Sequence, residues 1–238
     1  MKKEFILYIL LLFCGMLWAQ ENHADPASVA AGRNYMSSTK EFAALYNGRI
    51  ETPYDRPFAN HPYFETNRYV PGTLCYNQVV YPDILMRFDL YRNEFTISSP
   101  DKPYPIVLEN KKFNYAVLNG STIVLSANEN DSREQFLVLL HNGLFPVVKK
   151  YNVAIVSQES DRKLIKLFRI QNQYAIYIEG IPYPVKSKNS ILKLFPDRKK
   201  ELNEFVGQQK LNFKDQIEQS IIALASYYEN LINENATE

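Results

Sequence analysis

Hydrophobic and polar residues alternate through the middle of this 238-residue chain. In the clearest example, 84–91, every second residue is apolar, which places Ile84, Met86, Phe88 and Leu90 on one face of a strand. Arg92 and Asn93 then turn the chain into a further strand-like segment, 94–97. Because similar short runs follow one another, the pattern predicts a β-rich body over residues 73–186.

Turn signals divide this body into hairpins. Asn119-Gly120 and Asn142-Gly143 each lie between two strand-like runs, and both central residues of a type I′ turn need a positive φ. A third hairpin is predicted across Asn172-Gln173, joining 162–170 to 174–179. Short strands without intervening helices exclude a parallel α/β sheet. The body is therefore predicted to be an antiparallel β-meander, either barrel-like or a sandwich.

The pattern changes to helical spacing in residues 187–238. Two short helices are predicted at 190–195 and 199–206. Apolar residues then recur at intervals of three and four over about five turns, from Phe213 to Leu231. A stripe of this kind covers one face of a sheet, so we predict an α+β domain with C-terminal helices packed on the β body. A membrane-surface helix is disfavoured because 218–238 contains no Lys or Arg.

Residues 20–72 form an N-terminal arm rich in proline and aromatic residues. Prolines at this density exclude a regular helix or a central strand. Two interpretations remain open: a strap across the chain's own core, or a strap that docks on a partner. A short helix is predicted at 37–46. The interleaved residues are Pro53, Tyr54, Pro57, Phe58, Pro62, Tyr63, Phe64 and Pro71.

Residues 1–19 have the layout of a secretory signal peptide. Two lysines precede an apolar run over 5–18, which is too short to span a bilayer as a mature helix. We predict cleavage near Ala19-Gln20 and export to the periplasm or the outer cell surface. Cys14 follows a phenylalanine and not a small residue, which disfavours a lipoprotein. No second apolar run is long enough to span a membrane after cleavage.

Composition narrows the function classes further. Cleavage would remove two of 27 basic and one of 26 acidic residues, leaving no net charge. Proteins that bind nucleic acid are usually strongly basic, so a nucleic-acid partner is disfavoured. Cleavage would also leave Cys75 as the single cysteine, so no intramolecular disulfide is expected. In a strand interior, Cys75 is interpreted as a small buried hydrophobe.

No recognised catalytic, metal-binding or nucleotide-binding motif follows the signal peptide, and no cofactor is predicted. The candidate functional position is His61, which combines a titratable ring with the neighbouring carboxylates of Asp55 and Glu65. The alternative is a structural loop residue held by hydrogen bonds. His141 precedes a turn and is interpreted as an ordinary polar residue at a strand end.

Short motifs in the arm, the body and the tail occur together in one order. They are Leu45–Arg49, His61–Phe64, Gly72 with Tyr76 and Tyr81, Phe88-Asp89, Val185–Lys188, Leu192–Phe195 and Lys199–Leu202. As a set they resemble a group of small secreted proteins of Gram-negative bacteria that has no established activity. The resemblance covers nearly the whole chain after the signal peptide. It implies export and a single domain, and it implies no catalytic residue.

These observations predict an exported, non-enzymatic cell-envelope protein that acts through protein contacts. Its partner would be another envelope protein or a second copy of the same chain. A second hypothesis is a periplasmic carrier that holds a small apolar ligand in the β body. A third is a hydrolase-type enzyme without a recognisable motif, in which His61 would be the first residue to test.

Overall fold

A computed structural model describes residues 45–98, 104–126, 134–160 and 163–235. These residues form one antiparallel sheet followed by three helices, so the predicted α+β class is confirmed. The strands are β1 Arg49–Ile50, β2 Val70–Tyr76, β3 Val79–Asp89, β4 Glu94–Ile97, β5 Ile106–Val107, β6 Phe113–Leu118, β7 Ser121–Ser126, β8 Gln135–His141, β9 Val147–Ser160, β10 Lys163–Ile178 and β11 Ile181–Val185. The helices are α1 Lys188–Leu194, α2 Lys199–Gln208 and α3 Ile217–Asn235. The predicted signal peptide, and the predicted helix at 37–46 up to residue 44, lie outside the described residues.

The sheet has the strand order β1-β5-β4-β3-β2-β6-β7-β8-β9-β10-β11. From β6 to β11 each strand lies beside the next one in the chain, which is the predicted meander. On the other side of β2, the strands β3, β4 and β5 continue outward in chain order, and β1 pairs with β5. The pairing order ends at β1 and β11, so the sheet is not closed.

Two of the three predicted hairpins are confirmed. At Asn119-Gly120 both residues have positive φ, 49° and 77°, and the flanking pair is Leu118 opposite Ser121. The Asn142-Gly143 turn joins β8 to β9 in antiparallel pairing. At Asn119-Gly120, positive φ at two successive residues matches the right-handed twist of the flanking strands. Asn142 and Gly143 do not have positive φ, so the longer β8–β9 connection confirms the hairpin but not the type I′ turn.

The hairpin predicted across Asn172-Gln173 is wrong. Both residues lie inside β10, where they pair with Tyr151 and Lys150 of β9. The chain instead turns after Ser160 and again at Glu179-Gly180, where both residues have positive φ, 51° and 79°. Cross-strand pairing with β9 therefore overrides the turn preference of asparagine, and the result is one strand of 16 residues.

The alternation in β3 builds an aromatic core. Phe88 stacks on Phe95 of β4 with ring centroids 4.7 Å apart, and Phe95 in turn stacks on Phe113 of β6 at 4.9 Å. Phe136 of β8 meets the same group edge-on, 5.0 Å from Phe95. Phe95 is completely buried at the centre of these contacts. Offset and edge-on arrangements of this kind are the favourable geometries for aromatic rings.

The three helices pack on the sheet through the predicted stripe. Ile221, Leu224 and Tyr228 of α3 are buried in one cluster with Val147 of β9 and Ile176 of β10. The helix begins at Ile217 and not at Phe213, because the Asn212 side chain accepts the backbone N–H groups of Lys214 and Asp215. That local hydrogen bonding competes with helix formation.

Within the described residues, we find no helix with the combined length and apolar character needed to cross a membrane.

Candidate functional site

The aromatic side chains of the arm pack against the chain's own sheet. The ring of Phe58 lies 4.3 Å from that of Phe168 on β10, and Tyr54 lies 5.3 Å from the same ring. Phe64 meets Tyr151 of β9 edge-on at 5.9 Å. Of the two interpretations of the arm, a strap across the chain's own core therefore describes these residues.

A buried ion pair anchors the arm to β3. Nη2 of Arg87 lies 2.8 and 2.9 Å from the two carboxylate oxygens of Glu51, and Nη1 donates to the backbone carbonyl of Asn67 at 2.8 Å. The guanidinium group lies over the rings of Tyr63 at 3.8 Å and Tyr69 at 4.4 Å. Only 14% of the Arg87 side chain and 8% of the Glu51 side chain is exposed. We call Glu51, Tyr63, Tyr69 and Arg87 the Arg87 cluster.

The Arg87 cluster is arranged for anchoring and not for proton transfer. Burial raises the pKa of Tyr69, whose hydroxyl donates to a Glu51 oxygen at 2.7 Å. Both oxygens of Glu51 thus already accept hydrogen bonds within the cluster. A general base needs an oxygen within reach of a substrate proton, and this carboxylate is occupied.

A second anchor lies at the end of β3. Asp89 is 1% exposed and accepts three hydrogen bonds: from the Tyr54 hydroxyl at 2.6 Å and from the backbone N–H groups of Tyr91 and Arg92 at 2.9 Å each. Burial raises the pKa of the Asp89 carboxyl, although these hydrogen bonds act in the opposite direction. The carboxylate joins the arm to the β3–β4 turn.

The raised pKa of Asp89 predicts a pH dependence of stability. Because the folded chain holds this proton more tightly than the unfolded chain, Asp89 stabilises the fold below the ordinary carboxyl pKa, and that contribution is lost as pH rises through the folded-state pKa. Unfolding free energies of the wild type and Asp89→Asn should be measured across the acidic range. The difference, wild type minus variant, should fall as pH rises. A difference that grows with pH would show that the hydrogen bonds to Asp89 lower its pKa by more than burial raises it.

His61 lies half-buried in the arm, close to the Arg87 cluster. Its ring stacks on Tyr63 with centroids 6.0 Å apart, and its Nδ1 atom is buried without a hydrogen-bond partner in the described structure. The two carboxylates near it in sequence have other contacts, since Asp55 pairs with a neighbouring arginine and Glu65 accepts from Asn119. In the described ranges, no group of three or more His, Cys, Asp or Glu side chains could hold a metal ion.

Cys75 is buried in β2, as expected for a small hydrophobic residue. Burial raises the pKa of its thiol, which disfavours the thiolate that a nucleophile requires.

His141, interpreted from sequence as an ordinary strand-end residue, meets a serine and a glutamate of α3 that the sequence did not single out. His141 Nε2 lies 3.0 Å from Glu229 Oε2, and His141 Nδ1 lies 3.4 Å from Ser226 Oγ. Ser226 and Glu229 are three residues apart on one helix face, but their sequence spacing does not reveal which histidine they meet. These are the side-chain types of a nucleophilic triad.

The contacts of Glu229 favour a structural role for this trio. Its second oxygen accepts the backbone N–H of Phe145 at 2.8 Å, so one carboxylate binds both the end of β8 and the β8–β9 turn. The separation of 3.4 Å between Ser226 and His141 is long for a working nucleophile–base pair. We therefore interpret His141, Ser226 and Glu229 as a latch that holds the turn on α3.

The latch requires a glycine at position 143. A Cβ atom there would collide with the Glu229 carboxylate, which its hydrogen bonds hold in place. Gly143→Ala is expected to lower the free energy of unfolding by about 1–3 kcal/mol, because buried hydrogen bonds are lost. Gly207→Ala is a matched control, since no atom lies within 4 Å of its added Cβ and it lies in α2. That change should stabilise the fold by about 0.5–1 kcal/mol. Denaturant unfolding measures both; equal stability of Gly143→Ala and the wild type would contradict the latch.

A groove of about 840 Å³ runs over β8–β11. Val148 and Ala175 of the lining alternate with Val147 and Ile176, so they lie on the sheet face opposite to α3. The lining also includes Tyr174 and Val185 of the helix-facing cluster and Ile217 of α3. The apolar part of the lining includes Leu137, Val148, Tyr177, Pro182 and Pro184. Lys150 and Lys186 are the charged side chains among the described lining residues.

The β9–β10 strand pair extends beyond its neighbours. Among the described residues, β8 pairs with β9 at Val147–Lys149, and the following 150–160 pair with β10 alone. One face of this part carries exposed apolar side chains on either side of Phe168: Leu164 is 73% exposed, Ile170 39% and Ile155 38%. This feature could not be predicted from the sequence, because the Asn172-Gln173 signal predicts a turn inside β10.

Comparison of the chain with protein-family models, with curated proteins and with solved structures finds no significant match.

Proposed function

We propose that the protein is an exported, non-enzymatic component of the cell envelope that acts by binding protein through the distal part of the β9–β10 strand pair. The observation that carries this proposal is the edge of β9 over residues 150–160, which no other described strand pairs apart from β10 on its opposite side. Unpaired backbone N–H and C=O groups on a strand edge form a template on which another chain adds a strand.

The side chains on this strand pair support the same interpretation. Ile155, Leu164 and Ile170 lie on one face and remain exposed, although the arm already covers Phe168 between them. Clustered exposed apolar groups typically mark interaction surfaces, because leaving them in water is unfavourable. Strand addition on the edge would supply affinity, and these side chains would supply selectivity.

Export is supported by residues 1–19 and by the resemblance to small secreted proteins of Gram-negative bacteria. The direct test is fractionation of expressing cells followed by N-terminal sequencing of the recovered chain. A chain that begins at Gln20 in the envelope fraction is expected. A chain that keeps Met1 and stays in the cytoplasm would contradict export.

The binding proposal can be tested by site-specific photo-crosslinking in intact cells. A photoreactive residue at Ser157, exposed on β9, should give a covalent adduct with a protein. The same residue at Gln209, exposed after α2, is the control and should give none. Absence of adducts from both Ser157 and its exposed neighbour Glu159 would contradict the proposal.

A second candidate is carriage of a small apolar ligand in the groove over β8–β11. Its volume of about 840 Å³ lies within the range of about 300–1,000 Å³ typical of ligand pockets. Native mass spectrometry of the protein purified from its host should show a bound mass. The mass of the ligand should be lost in Ala175→Trp, because the larger side chain fills the groove. It should be retained in a control variant with a substitution at the exposed residue Gln209. A protein that carries no added mass would contradict carriage.

A further inference from the structure

We propose that the chain which pairs with β9 is a second copy of this protein, and that the two β9 strands join antiparallel about a two-fold axis perpendicular to the sheet. This inference rests on the proposed function, since it names the partner of the same edge. It follows from how the other edges of the sheet are protected, from the direction of the β9 backbone groups and from the residues along this edge.

The two end strands of the described sheet and the free edge of β10 are protected against strand addition. β1 has two residues, and β11 carries Pro182 and Pro184, which supply no N–H donors. The edge of β10 is covered where Ala59 donates to the backbone carbonyl of Lys166 at 2.9 Å. By contrast, residues 151–158 of β9 contain no proline, no glycine and no charge. Of the sequence devices that protect edge strands, proline, glycine and charge are therefore absent from this segment, and the charged residues Lys150 and Glu159 lie only near its ends.

The direction of the free backbone groups in β9 follows from the contacts of β10. Both the N–H and the C=O of Phe168 bond to the Asn60 side chain, at 2.8 Å each, so they point away from β9. Phe168 is opposite Ile155, and opposed residues of an antiparallel ladder share their hydrogen-bonding state. The N–H and C=O of Ile155 therefore point outward, and so do those of every second residue, including Val153 and Ser157.

Symmetry and the length of the free edge fix the register. A two-fold axis perpendicular to the sheet leaves the two copies with the same sheet face pointing the same way. Two residues can therefore be opposite each other only if their side chains project from the same face of β9. The free stretch 150–160 has Ile155 at its midpoint. Placing Ile155 opposite Ile155 of the second copy pairs the whole stretch. Val153 then faces Ser157, and Glu159 faces Tyr151.

In this register the opposed side chains are compatible, and the assembly stops at two copies. It places no like charges opposite each other, because Lys150 faces Ser160 and Glu159 faces Tyr151. Five residues in each copy, at every second position from 151 to 159, point a backbone N–H and C=O toward the other chain. They would form about ten hydrogen bonds between the chains. Since both copies use the same edge, the contact is two-fold symmetric and saturates that edge in each copy, so association through β9 ends at a dimer.

Sedimentation velocity of the purified protein tests the dimer, using proline to remove one outward donor. Ser157→Pro deletes an N–H that points away from β10, so it should leave the β9–β10 ladder intact and raise the dimer dissociation constant at least tenfold. Ser157→Ala is the matched control and should sediment like the wild type. Circular dichroism checks that both variants fold. A wild-type protein that sediments as a monomer at high micromolar concentration overturns the proposal, as does an unchanged dimer in a folded Ser157→Pro.

A disulfide test reports the register and separates this inference from the proposed function. Opposed residues in the required geometry have Cα atoms about 5.5 Å apart, within reach of a disulfide. Ile155→Cys should therefore give a covalent dimer under mild oxidation, whereas Gln209→Cys should not. In the photo-crosslinking experiment, an adduct of twice the chain mass supports self-pairing. An adduct with a different protein overturns self-pairing while keeping the proposed function, and the absence of any adduct overturns both.

Discussion

Replacing Ile221 with aspartate is expected to lower the free energy of unfolding by about 4–5 kcal/mol. Ile221 is completely buried between α3 and the sheet, in the cluster that contains Val147 and Ile176. The substitution removes a buried aliphatic side chain and leaves a carboxylate without a partner in an apolar interface. Because domains of this size are stable by roughly 5–15 kcal/mol, this loss is about a third or more of the total stability.

Gln219→Asp provides the control for this experiment. Gln219 lies two residues earlier on α3 and is exposed, so the same charge there should change stability by less than about 0.5 kcal/mol. Urea unfolding monitored by circular dichroism measures both variants. If Ile221→Asp unfolds at the same urea concentration as the wild type, α3 does not contribute to the core.

The second large effect is expected in the Arg87 cluster. Arg87→Met keeps the length of the side chain but leaves the Glu51 carboxylate, 8% exposed, without its cation. Removing one partner of a buried ion pair typically costs about 3–5 kcal/mol, because the remaining charge stays desolvated. We expect this loss of stability in denaturant unfolding of Arg87→Met.

The double variant Glu51→Gln with Arg87→Met separates the pair from its packing. With both charges removed, the desolvation penalty disappears, so the double variant should be more stable than Arg87→Met alone. Arg68→Met is a surface control, since Arg68 is exposed, and it should be close to neutral. If the double variant were no more stable than the single one, the energy of the cluster would reside in the aromatic packing and not in the ion pair.

The elements predicted correctly from the sequence are those whose signals are local. The alternation in 84–91 and the Asn119-Gly120 turn each depend on a few neighbouring residues, and both appear in the structure. The stripe on α3 is likewise a property of one segment. Asn172-Gln173 fails for the opposite reason, since distant partners in β9 decide whether these two residues turn or extend.

The candidate site depends almost entirely on distant contacts. His61 is a candidate from sequence because carboxylates lie near it in the chain, but in the fold those carboxylates bond elsewhere. The latch joins His141 to a helix 88 residues further along the chain, a relation that no spacing reveals. The open edge of β9 follows from how far β8 extends beside it. The protection of the β11 edge could be inferred from Pro182 and Pro184 in the sequence. The open edge of β9 could not.

The anchoring of the arm has a consequence for how the chain acquires its fold. A ribosome delivers the N-terminus first, yet the arm docks on Phe168, which follows Asn60 by 108 residues. Until that strand emerges, Tyr54 and Phe58 have no surface to cover, while the neighbouring hairpins of the meander can already form from local contacts. Docking of the arm is therefore a late step, and the proline-spaced aromatic segment stays exposed until β10 has formed.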